Sequence, residues 1–217
     1  MNYRYSADEI EYCLKLSESD ALVFGPEFIG RVEAIADRIP QVDQRFFVDS
    51  CTPTFAESYW ECVALCSSEA PAVDISDDED AAIYFSSGTT GFPKAILHDH
   101  RSILSACVVE QQHHGQTRDD VFLCIPPLYH TGAKMHWFGS LLAGSRAVLL
   151  RGVKPQWILE AVSDEGVTIV WLLVPWASDL LHAIEAGDVD LGKYELEQWR
   201  MMHIGAQPVP PSLIHTW

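Results

Sequence analysis

The sequence predicts an α/β chain in which mostly parallel strands form sheets covered by helices on both faces. Three observations predict it. Short apolar runs rich in Val, Ile, Leu and Phe alternate with stretches of helical spacing. Many of those runs stop at a Gly or a Pro. The 217 residues are 48% hydrophobic, enough for a real core. Alternating strands and helices imply right-handed crossovers, and ligands in such sheets bind beyond the carboxyl ends of the strands.

The elements follow in chain order. Ser6-Ala7-Asp8-Glu9 has the form of a capping box, and Ile10, Cys13 and Leu14 continue at helical spacing. Ala21–Phe24 reads as a strand ended by Gly25-Pro26, followed by a helix with Phe28, Val32 and Ile35 on one face. Phe46–Val48 is the next strand, and Phe55–Leu65 reads as a helix. Residues 67–80 carry Ser67-Ser68, Pro71 and the run Asp77-Asp78-Glu79-Asp80, which reads as a solvated loop rather than a calcium loop. Ala81–Phe85 is a continuous apolar run, as a buried strand shows. Beyond it the pattern predicts strands at 96–97, 121–125, 147–150, 167–174 and 201–204. Helices are predicted at 100–111, 134–143, 155–162 and 176–186. The organisation expected is a partial α/β subdomain at 1–70, an acidic connector at 71–80, and a second α/β subdomain at 81–217. Pro210-Pro211 suit a helix start, and the chain stops about two turns later at Trp217, which reads as a truncated domain end.

Composition narrows the function. The formal net charge is −17, the wrong sign for binding nucleic acid. Residues 1–80 hold 18 acids against 5 bases, and residues 81–217 hold 13 against 9, so the second part repels an anionic ligand less. No stretch approaches the roughly 20 apolar residues of a membrane span. The polar start lacks the form of a secretory signal, so a cytoplasmic location is expected. The six cysteines show no C-x-x-C spacing and read as reduced, buried thiols. His113-His114 reads as a surface pair at a helix end, His98 and His100 lack visible metal partners, and Trp137, Trp171 and Trp176 read as core aromatics.

The most informative stretch is Tyr84 to Ala95, Y-F-S-S-G-T-T-G-F-P-K-A. Gly88 and Gly91 permit positive φ and close backbone approach to a ligand. Successive amides can form an anion nest. Ser86, Ser87, Thr89 and Thr90 offer hydroxyl donors, and Lys94 adds a mobile charge suited to a polyphosphate. Gly88 and Lys94 have the separation of a P-loop, but Pro93 replaces its second glycine and Ala95 its magnesium-holding hydroxyl. An ordinary P-loop phosphotransferase is therefore disfavoured.

This segment, S-S-G-T-T-G-x-P-K-A, resembles the core motif of the adenylate-forming superfamily, which holds acyl-CoA synthetases, luciferases and adenylation domains of nonribosomal peptide synthetases. Pro126-Pro127-Leu128-Tyr129-His130-Thr131-Gly132 resembles the family's P-L-[FY]-H-x-x-G segment. His203-Ile204-Gly205-Ala206-Gln207-Pro208 is a looser likeness of the G-G-A-P-L segment, with Ile204 in place of one glycine. Asn2 to Ile10 resembles the N-P-R-x-[ST]-x-x-E-[IL] stretch, so the likeness covers essentially the whole chain. It implies part of the large N-terminal domain of an acyl-CoA synthetase, with ATP, Mg2+ and coenzyme A as cofactors and a carboxylic acid as substrate. Ser86, Ser87, Gly88, Thr89, Thr90, Gly91 and Lys94 would hold the phosphates, with Thr90 reaching the metal. Gly205, Ala206 and Gln207 would contact adenine. Lys94 and His130 are the catalytic candidates, His130 as a positioning group beside the carboxylate.

The resemblance also implies what these residues do not supply. No Y-G-x-T-E segment with a magnesium-binding glutamate follows, nor the ribose-binding aspartate, nor a C-terminal domain with a second lysine. The chain alone is expected to be inactive and to need the remainder of its parent protein as partner. The apolar, Trp-rich character points to a fatty or aryl acid, and so to fatty acid metabolism. The alternatives are a peptide-synthetase adenylation domain, a luciferase-like ligase, or a non-catalytic nucleotide-binding module.

Overall fold

The structure is a computed structural model that describes residues 1–86 and 91–217. Two compact units emerge, Met1–Arg101 and Ser102–Trp217.

In the first unit, α1 (Ala7–Leu16) starts at the predicted capping box. The Glu9 amide donates to Ser6 Oγ at 3.3 Å, and the Ser6 amide donates to the Glu9 carboxylate at 2.8 Å. Three parallel strands follow, β1 (Ala21–Phe24), β2 (Gln44–Phe47) and β3 (Glu57–Ser58), in that spatial order. Strand alternation turns Leu22 and Phe24 inward and leaves Val23 outside. The buried pair packs with Ile10, Cys13, Val32, Ile35 and Phe47.

Two predicted helices are shorter here. The one through Phe28, Val32 and Ile35 breaks into a 3-10 turn, α2 (Ile29–Glu33) and a second 3-10 turn at Ala36–Arg38. The Arg45 guanidinium donates to the carbonyls of Ala36 and Ile39, at 2.9 and 3.4 Å, acceptors that a continuing helix would use itself. The helix expected over 55–65 is α3 (Tyr59–Ala64), because Glu57 and Ser58 pair with β2 and Ser58 Oγ caps the Glu61 amide.

The run at 81–85 differs more. Among the described residues β4 (Asp80–Phe85) pairs with β5 (Ala95–Asp99) alone, antiparallel, in a two-stranded hairpin. Of the β4 residues Tyr84 alone is buried. The strand expected here is present, but it is buried at Tyr84 rather than along its length. Residues 71–80 lie in the first unit and are exposed throughout. Arg101 brackets their acidic run, 2.9 Å from Asp78 and 3.7 Å from Asp77.

The second unit follows the predicted alternation. After α4 (His100–His113) come β6 (Val121–Cys124), α5 (Thr131–Ala143), β7 (Arg146–Leu149), α6 (Pro155–Glu165), β8 (Ile169–Leu173), α7 (Val174–Glu185), β9 (Met201–Gly205) and α8 (Pro211–Thr216). The sheet is fully parallel, in the order β7-β6-β8-β9. Leu123, Val170 and Leu172 pack against α6 and α7 on one face, through Ile158, Leu159 and Leu180. Phe122, Cys124, Ile169 and Trp171 pack on the other with Ala133 of α5. Both faces of β8 are covered, so Ile169 to Leu172 are buried in succession. Each such aliphatic side chain contributes about 1.5–3 kcal/mol of burial.

All six thiols are free, but only Cys13, Cys107 and Cys124 are buried. Cys51 and Cys66 are exposed, because they fall in a loop and just past the end of α3 rather than on packed faces. No helix among the described residues is long and apolar enough to cross a membrane.

Candidate nucleotide site

The hydroxyl- and glycine-rich segment is the connection of the β4–β5 hairpin. Phe85 pairs with Ala95, the Ser86 amide donates to the Lys94 carbonyl at 2.9 Å, and the Lys94 amide donates to Ser86 Oγ at 3.4 Å. These bonds set Ser86 and Lys94 opposite each other at the mouth of the loop. The Lys94 side chain is exposed, whereas Pro93 before it is buried. Gly91 has φ +141°, a conformation that only glycine adopts without strain. Phe92 anchors the loop beside α1, its ring 4.8 Å from Tyr12. Ser87, Gly88, Thr89 and Thr90, the expected donors to phosphate and metal, lie outside the described residues. A P-loop runs from strand into helix; this one runs into an antiparallel strand, which separates it from that class.

In the second unit the other two motifs lie at the carboxyl edge of one sheet. The 126–132 segment follows β6, and Gly205-Ala206-Gln207 ends β9 and leaves it. β8 runs between them, so the two loops are about 10 Å apart across the sheet. Trp171 of β8 bridges that gap. A methyl at Gly132 would lie 2.6 Å from the far edge of its indole, and one at Gly205 would lie 3.8 Å from its Nε1. Gly132 thus makes room for the ring, whereas at Gly205 a methyl would only touch it at ordinary contact distance. His130 is exposed at the N-cap of α5, its ring 4.4 Å from Tyr129. Ala206 holds φ +68°, a strained conformation for a non-glycine residue, and strain of that kind concentrates at functional positions. Gln207 is exposed.

Sequence reasoning missed a second feature of this unit. His114, predicted at the surface with His113, is 3% exposed and faces His136 and His203. Its Nε2 lies 3.0 Å from His203 Nδ1. Glu110 stands one helical turn before His114, with Oε2 3.6 Å from His136 Nδ1 and 4.0 Å from His114 Nε2. Burial first, and neighbouring imidazoles second, push His136 down to about 3 and His114 to about 4, so both are neutral at pH 7. The Glu110–His114 spacing was the only local signal; the other two histidines come from α5 and β9 and no sequence spacing links them.

The fold is that of the large N-terminal domain of adenylate-forming enzymes. It matches a long-chain-fatty-acid-CoA ligase of Archaeoglobus fulgidus with a TM-score of 0.87 at 21% identity, over 100% of this chain and 42% of that one. Among curated relatives, it is 28% identical over 224 residues to a long-chain-fatty-acid–CoA ligase of Thermus thermophilus. That alignment covers 98% of this chain and 38% of the relative. It is 31% identical over 159 residues to a medium-chain fatty-acid–CoA ligase of Escherichia coli, covering 72% and 28%. Residues 1–217 match the AMP-binding enzyme family throughout. The chain belongs to that family, and it spans less than two fifths of the length of these two curated relatives.

Proposed function

We propose that this chain supplies the phosphate-gripping and adenine-facing segments of an ATP-dependent acid–CoA ligase, and that it is inactive alone. In the reaction a substrate carboxylate attacks the α-phosphorus of ATP, giving an acyl-adenylate and pyrophosphate. The coenzyme A thiol then attacks the acyl carbonyl and expels AMP. The observation that carries the reading is the hairpin loop closed by Ser86 and Lys94, in a chain that matches the AMP-binding family from end to end.

Residue roles follow from position. Lys94, exposed at the loop mouth, offsets charge on the departing pyrophosphate, and the loop hydroxyls position the tail. Magnesium, when bound with the nucleotide, would neutralise phosphate charge, and its expected ligand Thr90 lies outside the described residues. Gly205, Ala206 and Gln207 offer backbone edges to adenine at the end of β9. His130, exposed at the start of α5, orients the carboxylate. The apolar, Trp-rich composition favours a fatty or aryl acid. The inactivity follows because the magnesium glutamate, the ribose aspartate and the second lysine have no counterpart motif in these residues.

Calorimetry with ATP and a pyrophosphate-exchange assay test both parts. ATP should bind, and Lys94→Ala should weaken binding about tenfold or more, as loss of a charged contact does. Exchange should be absent with any acid. Binding indifferent to Lys94 would remove the phosphate role, and robust exchange would overturn the claim of inactivity.

A further inference from the structure

The strongest unassigned feature is the buried histidine cluster. One donor atom from each of Glu110, His114, His136 and His203 lies within 4.8 Å of the other three. The donors come from three elements: Glu110 in α4 with His114 just past its end, His136 in α5, and His203 in β9. Neither ring nitrogen of His136 has a hydrogen-bond partner among the described residues, although the side chain is 2% exposed. A buried imidazole with both nitrogens unsatisfied is costly unless something occupies it.

We propose that Glu110, His114, His136 and His203 form a binding site for one divalent transition-metal ion of the zinc class.

The donor set selects the ion. Three imidazoles and one carboxylate suit zinc, cobalt(II) or nickel; magnesium and calcium take oxygen-only shells. Tetrahedral zinc ligands stand about 3.3 Å apart, from Zn–N bonds of about 2.0–2.1 Å. The donor atoms now stand 3.0 Å (His114–His203), 3.6 Å (His136–Glu110) and 4.0 Å (His114–Glu110) apart, all within 4.8 Å, and side-chain rotations would draw the wider pairs in. Four protein donors leave no open position, so the site is structural. The ion would tie α4, α5 and β9 together and fix the strand that ends at Gly205. The His114–His203 hydrogen bond is the competing arrangement, in which the rings satisfy each other and no metal enters. This inference does not depend on the proposed ligase activity.

The 217-residue chain, stripped with a chelator, is titrated with cobalt(II) and followed by visible absorption, then competed with zinc. One equivalent should bind with the intense d–d bands of a four-coordinate site, and zinc should displace it and raise the melting temperature. Glu110→Gln, at a partly exposed position, should weaken cobalt affinity about tenfold or more. His136→Asn should abolish the bands. A His98→Asn, His100→Asn double variant, which keeps all four donors, should leave them unchanged. Absence of one-equivalent uptake by the unaltered chain overturns the site, as does uptake indifferent to Glu110→Gln or lost in the His98, His100 variant. Should His136→Asn fail to fold, the unaltered chain and Glu110→Gln decide between these outcomes.

Discussion

Trp171 leaves no room for a side chain at Gly132. Gly132 has ordinary helical geometry at the second position of α5, so alanine there gains about 1 kcal/mol of helix propensity. Against that, its methyl would lie 2.6 Å from the Trp171 ring edge, and a buried indole is not a flexible tip that swings away. Overpacking of this kind costs about 1–3 kcal/mol, so the clash outweighs the propensity. Gly132→Ala should therefore lower stability in chemical denaturation. Trp171→Phe in the same chain should recover part of the loss, because phenylalanine lacks the clashing edge, and a double-mutant cycle measures that coupling. A Gly132→Ala chain more stable than its parent would refute the close approach. Gly91 gives the opposite case. A methyl there would meet nothing within 4 Å among the described residues, so Gly91→Ala should cost about 1–3 kcal/mol through backbone strain at φ +141°. The same substitution should weaken ATP binding in calorimetry by deforming the loop.

At the scale of elements, Asp120 joins three strands at the amino-terminal edge of the second unit's sheet. It directly precedes β6, accepts from Thr168 Oγ1 before β8 at 2.7 Å, and accepts from Arg200 before β9 at 2.8 and 2.9 Å. The Arg200 guanidinium, helped by Thr168, holds its carboxyl far below the usual carboxylate range despite burial. A depressed folded-state pKa contributes stability above the unfolded value near 4, and that contribution is lost as pH falls below it. Asp120→Asn should lower stability at pH 7 by about 1–2 kcal/mol, the order of charge-assisted hydrogen bonds discounted because the Arg200 side chain is 39% exposed, and flatten the acid limb of the stability curve below pH 4. An unchanged acid limb would show that other carboxylates set it. None of this was legible in the sequence, because Asp120, Thr168 and Arg200 are joined only by the sheet order. What was legible depended on local signals. Ser6–Glu9 fixed the start of α1, and Gly144, with φ +69°, marked the end of α5. The apolar run of β8 matched a strand covered on both faces. The same cue misled at Ala81–Phe85, since an apolar run does not reveal how many strands lie beside it. The phosphate motif was readable as a motif, but its place in a hairpin, and the gathering of His114, His136 and His203, depend on contacts distant in sequence.

For the whole molecule the governing quantity is charge. The formal net charge of −17, with 18 acids among the first 80 residues, repels itself across the surface. Exposed ion pairs such as Arg38–Asp8, Arg101–Asp78 and Arg146–Glu165 act in the other direction, but each contributes only about 0–1 kcal/mol. Acids outnumber bases by 31 to 14, so most carboxylates have no cation available and repulsion is the larger sum. Sodium chloride weakens both, shortening the screening length from about 30 Å at 0.01 M to about 8 Å at 0.15 M. The long-range repulsion, acting between carboxylates spread over the surface, is screened more completely than contacts at 3 Å. The melting temperature at pH 7 should therefore rise with salt over that interval. Each kcal/mol of relief is worth about 2–4 °C for a chain of this size. A melting temperature that falls with added salt would mean that the local ion pairs, rather than the net charge, dominate the surface.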